Sequence, residues 1–269
     1  MIRSGFLWCL AMLFYISPIF GQELSYSTAN AHSHNDYEQP KPFFQAYDRQ
    51  FGSIEADIHL FGKLLLVSHD SAHLVKKKSL ENLYLIPLSK CIEKNNGYIY
   101  KDSSRKLQLL IDLKTDGFAT MKALVKLLKK YPAVIHNSGI RIVITGNRPA
   151  DNLYQAYPDY IWFDGVLSRN YSDAALSRIA LLSDDLRRYS KWPGNDTLLK
   201  SDRILLTALV GKAHRLQKPV RFWACPDSAV AWKEMMSLQV DYINTDHIEA
   251  LADFLVRRND LPAEIPKTK

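Results

Sequence analysis

The chain has 269 residues, 47% of them apolar, and a formal charge of +7. That is enough for one large domain or two small ones around a well-buried core. The basic residues fall in short scattered runs (Lys76–Lys78, Lys129–Lys130, Arg187–Arg188, Arg257–Arg258), without a basic arm or a stripe of interleaved aromatics, which argues against nucleic acid and for a solvated surface.

The first element in chain order is a targeting segment. Arg3 precedes an apolar stretch from Phe6 to Phe20 that ends in small Gly21. A positive start, a short apolar core and a small terminal residue describe a secretory signal peptide over residues 1–21. The stretch is short for a membrane span of about 20 residues, and Pro18 suits a cleavage region better than a buried helix. An uncleaved anchor is the alternative. Cleavage near Gly21/Gln22 removes Arg3, leaves a charge of +6, and delivers a periplasmic or extracellular protein. Cys9 lacks the preceding small residues of a lipoprotein site. Cys91 and Cys225 remain, far apart in sequence, and are read as two buried free thiols rather than a bridge.

Residues 22–269 alternate short apolar runs with helical patterns, without an internal repeat or low-complexity linker. The candidate strands are Tyr26–Ala31, Ser53–Leu60, Leu107–Leu113, Ile140–Thr145, Tyr160–Phe163, Ile179–Ser183, Val220–Ala224 and Asp241–Asn244. Leu64–Val67 is extended and pairs as a small hairpin with the strand before it. The clearest helices are Phe118–Lys130, Arg203–Gln217, Ser228–Ser237 and Ile248–Arg257, with weaker candidates at Phe43–Gln50 and Leu88–Lys94. In the first of these, Phe118, Met121, Leu124, Val125, Leu127 and Leu128 mark an apolar face. Eight strands alternating with helices over about 250 residues fit a single-domain (β/α)8 TIM barrel. An open doubly wound sheet is the runner-up, but no G-x-G-x-x-G or phosphate loop follows any strand.

A barrel puts its chemistry at the C-terminal ends of its strands, and polar residues gather there. The first strand ends in His32-Ser33-His34-Asn35-Asp36, and the second carries Glu55-Ala56-Asp57-Ile58-His59. His69-Asp70 closes the extended segment, and Asp112-Leu113-Lys114 closes the third strand. Thr145-Gly146-Asn147-Arg148, Phe163-Asp164, Trp223-Ala224-Cys225 and Asn244-Thr245-Asp246 close later ones. Glu55 and Asp57, two residues apart on a strand, share a face. Side by side and buried they repel each other, and a divalent cation relieves that cost. Asp112 on the neighbouring strand supplies a third carboxylate, a set that suits Mg²⁺ or Ca²⁺. The competing reading is a surface alternation with exposed charges, in which Ile54, Ala56 and Ile58 face the core. Lys114 shares a face with Asp112 and is suited to a phosphate oxygen. His32 and His69 are candidates for acid–base work near neutral pH. His59, His73, His136, His214 and His247 are read as packed or surface residues.

The set His32, Glu55-x-Asp57, His69-Asp70 and Asp112-x-Lys114 resembles the glycerophosphodiester phosphodiesterase and phosphatidylinositol phospholipase C-like superfamily. The likeness spans nearly the whole chain after residue 21, including Trp223 and the run Val240-Asp241-Tyr242-Ile243-Asn244-Thr245-Asp246. A-H-S-H-N-D-Y, E-A-D-I-H-L and L-L-V-S-H-D look closest to a branch of secreted bacterial members and the fungal family labelled "altered inheritance of mitochondria". Two departures stand out. Ser33-His34 replaces the arginine that follows the first histidine in most glycerophosphodiesterases, and a P-E-N-T motif is missing. Asp112 stands where a glutamate is usual, so His32-Ser33-His34-Asn35 and Asp112-Leu113-Lys114-Thr115 look more like the sphingomyelinase D-type members.

The resemblance implies a phosphoric diester hydrolase or lyase of the PLC-like type, acting on glycerophosphodiester or phospholipid-type substrates. It implies one divalent cation, Mg²⁺ or Ca²⁺, on Glu55, Asp57 and Asp112, and a histidine pair, His32 and His69, working through a cyclic phosphate. Lys114 and Asn35 then hold the phosphate. His34, Asp36, Arg148, Asp164, Trp223, Asn244 and Asp246 line the substrate pocket or support the residues that do. A monomer is expected, with transient contact at a membrane surface. The aromatic loops Tyr154–Tyr160 and Arg187–Trp192 receive a lipid or sugar headgroup, or serve as packed anchors. Two other classes are weighed. H-x-H also marks amidohydrolases and histidinol-phosphatase-like phosphoesterases, which want histidines near strands five and six, where this chain has Asp164 and none. The other is a non-catalytic barrel that binds a phosphorylated ligand.

Overall fold

The computed structural model describes residues 25–259, so the signal-peptide reading lies outside the described residues. The strands are β1 (Ala31–Ser33), β2 (Ser53–Phe61), β3 (Leu64–Val67), β4 (Leu107–Leu113), β5 (Ile140–Gly146), β6 (Ile161–Val166), β7 (Ile179–Asp185), β8 (Val220–Trp223) and β9 (Ile243–Thr245). All except β3 run parallel, in the order β8-β7-β6-β5-β4-β2-β1-β9. The end strands β8 and β9 meet through one parallel bridge, Arg221 to Tyr242, which nearly closes an eight-stranded barrel. This removes the open-sheet alternative. β3 folds back antiparallel on β2, the hairpin expected from the sequence.

The helices are α1 (Phe44–Asp48), α2 (Ile86–Lys94), α3 (Gly117–Leu128), α4 (Pro132–Ile135), α5 (Asp173–Leu176), α6 (Lys200–Arg215), α7 (Ala229–Ser237) and α8 (Ile248–Asn259). Side-chain caps start several of them: Asp116 accepts from Ala119 N before α3, and Ser228 accepts from Ala231 N before α7. The face expected for α3 needs correction at one end. Met121, Leu124 and Leu128 pack inward with Thr120, whereas Phe118, in the first turn, is 71% exposed. The first strand also starts later than expected. Ser27 and Asn30 form a capping box that turns residues 28–30 into a 3-10 helix, leaving Ala31–Ser33 as strand.

Strand alternation sorts the side chains into two environments. Ile54, Ala56 and Ile58 of β2 and Leu107, Leu109, Ile111 and Leu113 of β4 point outward into the main core against the helices. Burying each of these leucine and isoleucine side chains contributes roughly 1.5–3 kcal/mol. Inside the barrel a smaller apolar plug forms from Leu110, Val143, Ala180 and Leu181, with Trp162 and Tyr242 beside it. Polar residues are buried at other positions along the strands, among them His32, Glu55, Asp57, Asp164 and Arg221.

Candidate metal centre and active site

β2 turns Ser53, Glu55, Asp57 and His59 into the barrel, and all four are buried. In the β2–β4 register Asp57 lies directly beside Asp112, and Glu55 beside Leu110 of the plug. Glu55, Asp57 and Asp112 each offer an oxygen, all within 4.8 Å of one another. The charges are therefore not exposed: Ile54, Ala56 and Ile58 do face the core under the helices, and alternation turns the carboxylates into the barrel interior, where Glu55 and Asp57 are buried.

Each carboxylate is held by one oxygen. Asp57 Oδ2 lies 2.9 Å from Lys114 Nζ, 2.8 Å from the Tyr37 hydroxyl and 3.4 Å from His69 Nδ1. Asp112 Oδ2 accepts from Lys114 Nζ at 2.7 Å. Glu55 Oε2 accepts from Arg221 Nη1 at 2.8 Å and lies 2.8 Å from His32 Nε2. Asp57 Oδ1 and Asp112 Oδ1 are buried with no partner among the described residues. Orphaned carboxylate oxygens are costly in a folded interior. Two of them beside a third carboxylate fit a hard divalent cation such as Mg²⁺ or Ca²⁺. Burial, reinforced by Glu55, pushes the Asp57 carboxyl up to about 6. Burial acts the same way on Glu55, but the Arg221 guanidinium and His32 outweigh it and hold its carboxyl well below the usual range. Lys114 is raised, because Asp112 and Asp57 outweigh its burial.

The histidines occupy three levels. His32 is wholly buried. Its Nδ1 lies 2.7 Å from Ser53 Oγ, to which Gln108 also donates. Its Nε2 meets Glu55 and, at 2.5 Å, Arg221 Nη1. Burial and then the Arg221 charge push the imidazole down to about 4, so it stands neutral. His34 lies above it with its side chain 29% exposed, its Nδ1 2.8 Å from Asp246 Oδ1. Burial works against its proton, but the Asp246 hydrogen bond and the Glu55 charge outweigh it, and its pKa is raised. His69 sits at the rim above Asp57, 62% exposed.

The other expected residues divide. Asn35 adopts a left-handed backbone conformation (φ 44°) and receives the Tyr37 hydroxyl, so it reaches the centre through Tyr37. Asn244 accepts from Arg221 Nη1 at 3.2 Å. Asp164 lies across the barrel, fully buried, accepting from Thr145 and Ser183, with Oδ1 unpartnered. Arg148 donates to the Tyr154 hydroxyl and feels the charge of Asp164. Trp223 lies under the Arg187 guanidinium. Asp36 does not line a pocket. It is buried beneath the loop, accepting from Ser33, Phe43 N and Tyr84, and burial pushes it up to about 6. Asp70 caps a 3-10 turn at the surface. Cys91 and Cys225 are both free. A cleft of about 570 Å³ lies between the loops after β7 and β8, lined by Arg187, Lys191, Trp192 and Cys225, and none of the three carboxylates lines it.

Sequence reasoning missed Arg221, Tyr37 and Gly146. Arg221 had a signal: a lone cation in the otherwise apolar strand Val220-Arg221-Phe222-Trp223, on the face of Trp223. Gly146 has φ +70°, and a Cβ there would fall 1.8 Å from Asp112 Oδ1. Tyr37 carried no signal, since only the folded turn brings it onto Asp57.

Residues 25–164 match the AIM6-like phosphodiesterase domain. The chain belongs to the AIM6-like phosphodiesterase family. Residues 219–249, which carry β8 and β9, also match the glycerophosphoryl diester phosphodiesterase family. Among its relatives is the "altered inheritance of mitochondria protein 6 homolog" of Arthroderma benhamiae, 27% identical, the match covering 81% of each chain. The protein 6 of Kluyveromyces lactis is 29% identical, over 84% of this chain and 72% of its own. The fold resembles a crystal structure of a glycerophosphodiester phosphodiesterase from Parabacteroides distasonis, with a TM-score of 0.54 at 14% identity, covering 86% of this chain and 98% of that one. The likeness to the fungal family is thus borne out, as is the barrel.

Proposed function

We propose that this member of the family is a metal-dependent phosphoric diester hydrolase or lyase. Its substrates are glycerophosphodiesters or phospholipid-type diesters. The observation that carries the reading is the free oxygens of Asp57 and Asp112, turned together with Glu55 into the C-terminal mouth of the barrel beside Lys114 and His69. When bound by Glu55, Asp57 and Asp112, Mg²⁺ or Ca²⁺ would supply Lewis-acid stabilisation of charge on the phosphoryl oxygens.

The chain's own residues do the rest. Lys114, on Asp57 and Asp112, presents a cation to a phosphate oxygen at the same point. Cleavage needs a proton removed from the attacking hydroxyl and another delivered to the leaving oxygen. His69, exposed at the rim, delivers a proton to the leaving group. His32, neutral and oriented by Ser53, is the matching acceptor. A neighbouring substrate hydroxyl attacks phosphorus, giving a cyclic phosphate that leaves or is opened by water. One observation favours a second assignment. Both ring nitrogens of His32 are occupied and its ring is sealed, whereas His34 is accessible and oriented by Asp246. In that reading His34 partners His69 and His32 anchors Glu55. The mature enzyme acts outside the cytoplasm, beginning near Gln22.

The test is a substrate panel on the purified mature protein: glycerophosphodiesters, inositol lipids, sphingomyelin and lysophospholipids, each with chelator and with added Mg²⁺ or Ca²⁺. Cation-dependent release of a phosphomonoester or cyclic phosphate is expected. Turnover unchanged after exhaustive chelation would remove the metal reading.

A further inference from the structure

A guanidinium inside a barrel must have partners, because a buried ion left unpaired is strongly destabilising. Arg221 is such a group. Val220 and Phe222 point outward into the main core, so strand alternation turns Arg221 inward, where it is 4% exposed. It sits at the seam of the barrel, its own backbone forming the bridge to Tyr242 beside the apolar plug.

Its side chain reaches past β9 to β1 and β2. A single nitrogen, Nη1, contacts Glu55 Oε2 at 2.8 Å, His32 Nε2 at 2.5 Å and Asn244 Oδ1 at 3.2 Å. This repeats on Glu55 what Lys114 does on the two aspartates. Lys114 occupies Oδ2 of Asp57 and of Asp112, and each Oδ1 is left buried without a partner among the described residues. Arg221 donates to Oε2 of Glu55, and His32 Nε2 lies 2.8 Å from that same oxygen, so both contacts fall on one edge of the carboxylate. Two resident cations thus hold three carboxylates by one edge each.

We propose that Arg221 is a positioning residue for the metal centre: it fixes Glu55 by Oε2, so that Oε1 is presented to the cation, and it sets Glu55 and His32 in one arrangement through a shared donor. Partners of this outer kind orient metal-binding carboxylates, and their loss costs about 10–100-fold in metal affinity or activity. An electrostatic competitor would do the reverse, since removing its charge would tighten cation binding. The proposal rests on the metal reading of Glu55, Asp57 and Asp112.

The experiment is calorimetric titration of the purified protein with Mg²⁺ and with Ca²⁺ alone, without substrate. The proteins are the wild type, Arg221→Met, Arg221→Lys, Glu55→Gln and the double variant Arg221→Met/Glu55→Gln, with thermal unfolding recorded for each. Arg221→Met is expected to bind the cation about 10–100-fold more weakly, and the double variant no more weakly than Glu55→Gln alone. Arg221→Lys keeps the charge on a shorter side chain and should fall between wild type and Arg221→Met. It carries the test if Arg221→Met does not fold. Unchanged or tighter binding in Arg221→Met, additive losses in the double variant, or wild-type affinity in Arg221→Lys would overturn the proposal while leaving the metal reading intact. If the wild type binds neither cation, the metal reading fails and the proposal falls with it.

Discussion

Gly146→Ala tests how closely the proposed metal centre depends on backbone. β5 ends at Gly146 with φ +70°, beside Leu113 in the β4 register. Alanine costs about 1–2 kcal/mol there, the ordinary cost of a left-handed conformation for a residue with a Cβ. The new Cβ would also lie 1.8 Å from Asp112 Oδ1 and 2.7 Å from Leu113 O. The Asp112 carboxylate must therefore retreat by roughly 1.5 Å to regain ordinary contact. Metal–ligand distances tolerate only about 0.2 Å, so one of three carboxylates is lost to the cation. Gly62 supplies the control. Its φ is +62° and nothing lies within 4 Å of the place a Cβ would take, so Gly62→Ala carries the backbone cost alone. Chemical denaturation and calorimetric cation titration should be run on both. Gly62→Ala is expected to lose about 1–2 kcal/mol of stability and Gly146→Ala more than that, because Leu113 O is backbone and must also shift, while Gly146→Ala alone loses cation affinity, by at least the roughly 10–100-fold that follows loss of a supporting group. Equal cation affinity in the two variants would refute the placement of Asp112 as a ligand.

Asp57→Asn should bind no cation in the same titration and show no chelator-sensitive turnover; full activity in that variant would count against the centre. His69→Ala is expected to lower kcat by roughly 10²–10⁴-fold with little change in KM. Comparing His32→Ala with His34→Ala then decides the second histidine, because the sealed-ring reading predicts the larger kcat loss for His34 and the larger loss of cation affinity for His32. Asp36 gives a pH dependence. Its folded carboxyl is raised from 3.8 to about 6, so the stability it contributes is full below pH 3.8 and is lost as pH rises through 6. The change amounts to about 3 kcal/mol at most. Asp36→Asn should flatten this slope in denaturant unfolding between pH 4 and 7, and parallel curves for the two proteins would show that the carboxyl does not titrate there.

Much of the fold lies in local pattern. β4 begins and ends where its apolar run does, and β2, β5 and β7 extend the expected strands by one or two residues. The misses are at ends where side chains compete with the backbone. Ser27 and Asn30 turn the start of the first strand, and Asp241 accepts from Val220 N, with strand β9 starting two residues later. Period-two alternation also made the carboxylate trio legible. Once Ile54, Ala56 and Ile58 are core, Glu55 and Asp57 must face the other way, and Asp112 follows from strand adjacency.

The sequence by itself therefore determined the barrel, the strand ends that carry polar residues, and the three carboxylates with Lys114, because each depends on spacing along one strand or between neighbours. Tertiary structure alone decided the rest. Arg221 reaches Glu55 only because the closing barrel brings together residues 166 positions apart. Closure likewise seals His32, leaves His34 at the mouth against Asp246, and buries Asp36 beneath Tyr84. Side-chain reach across a closed interior, and the desolvation that comes with it, are properties of the assembled barrel and leave no period in the chain.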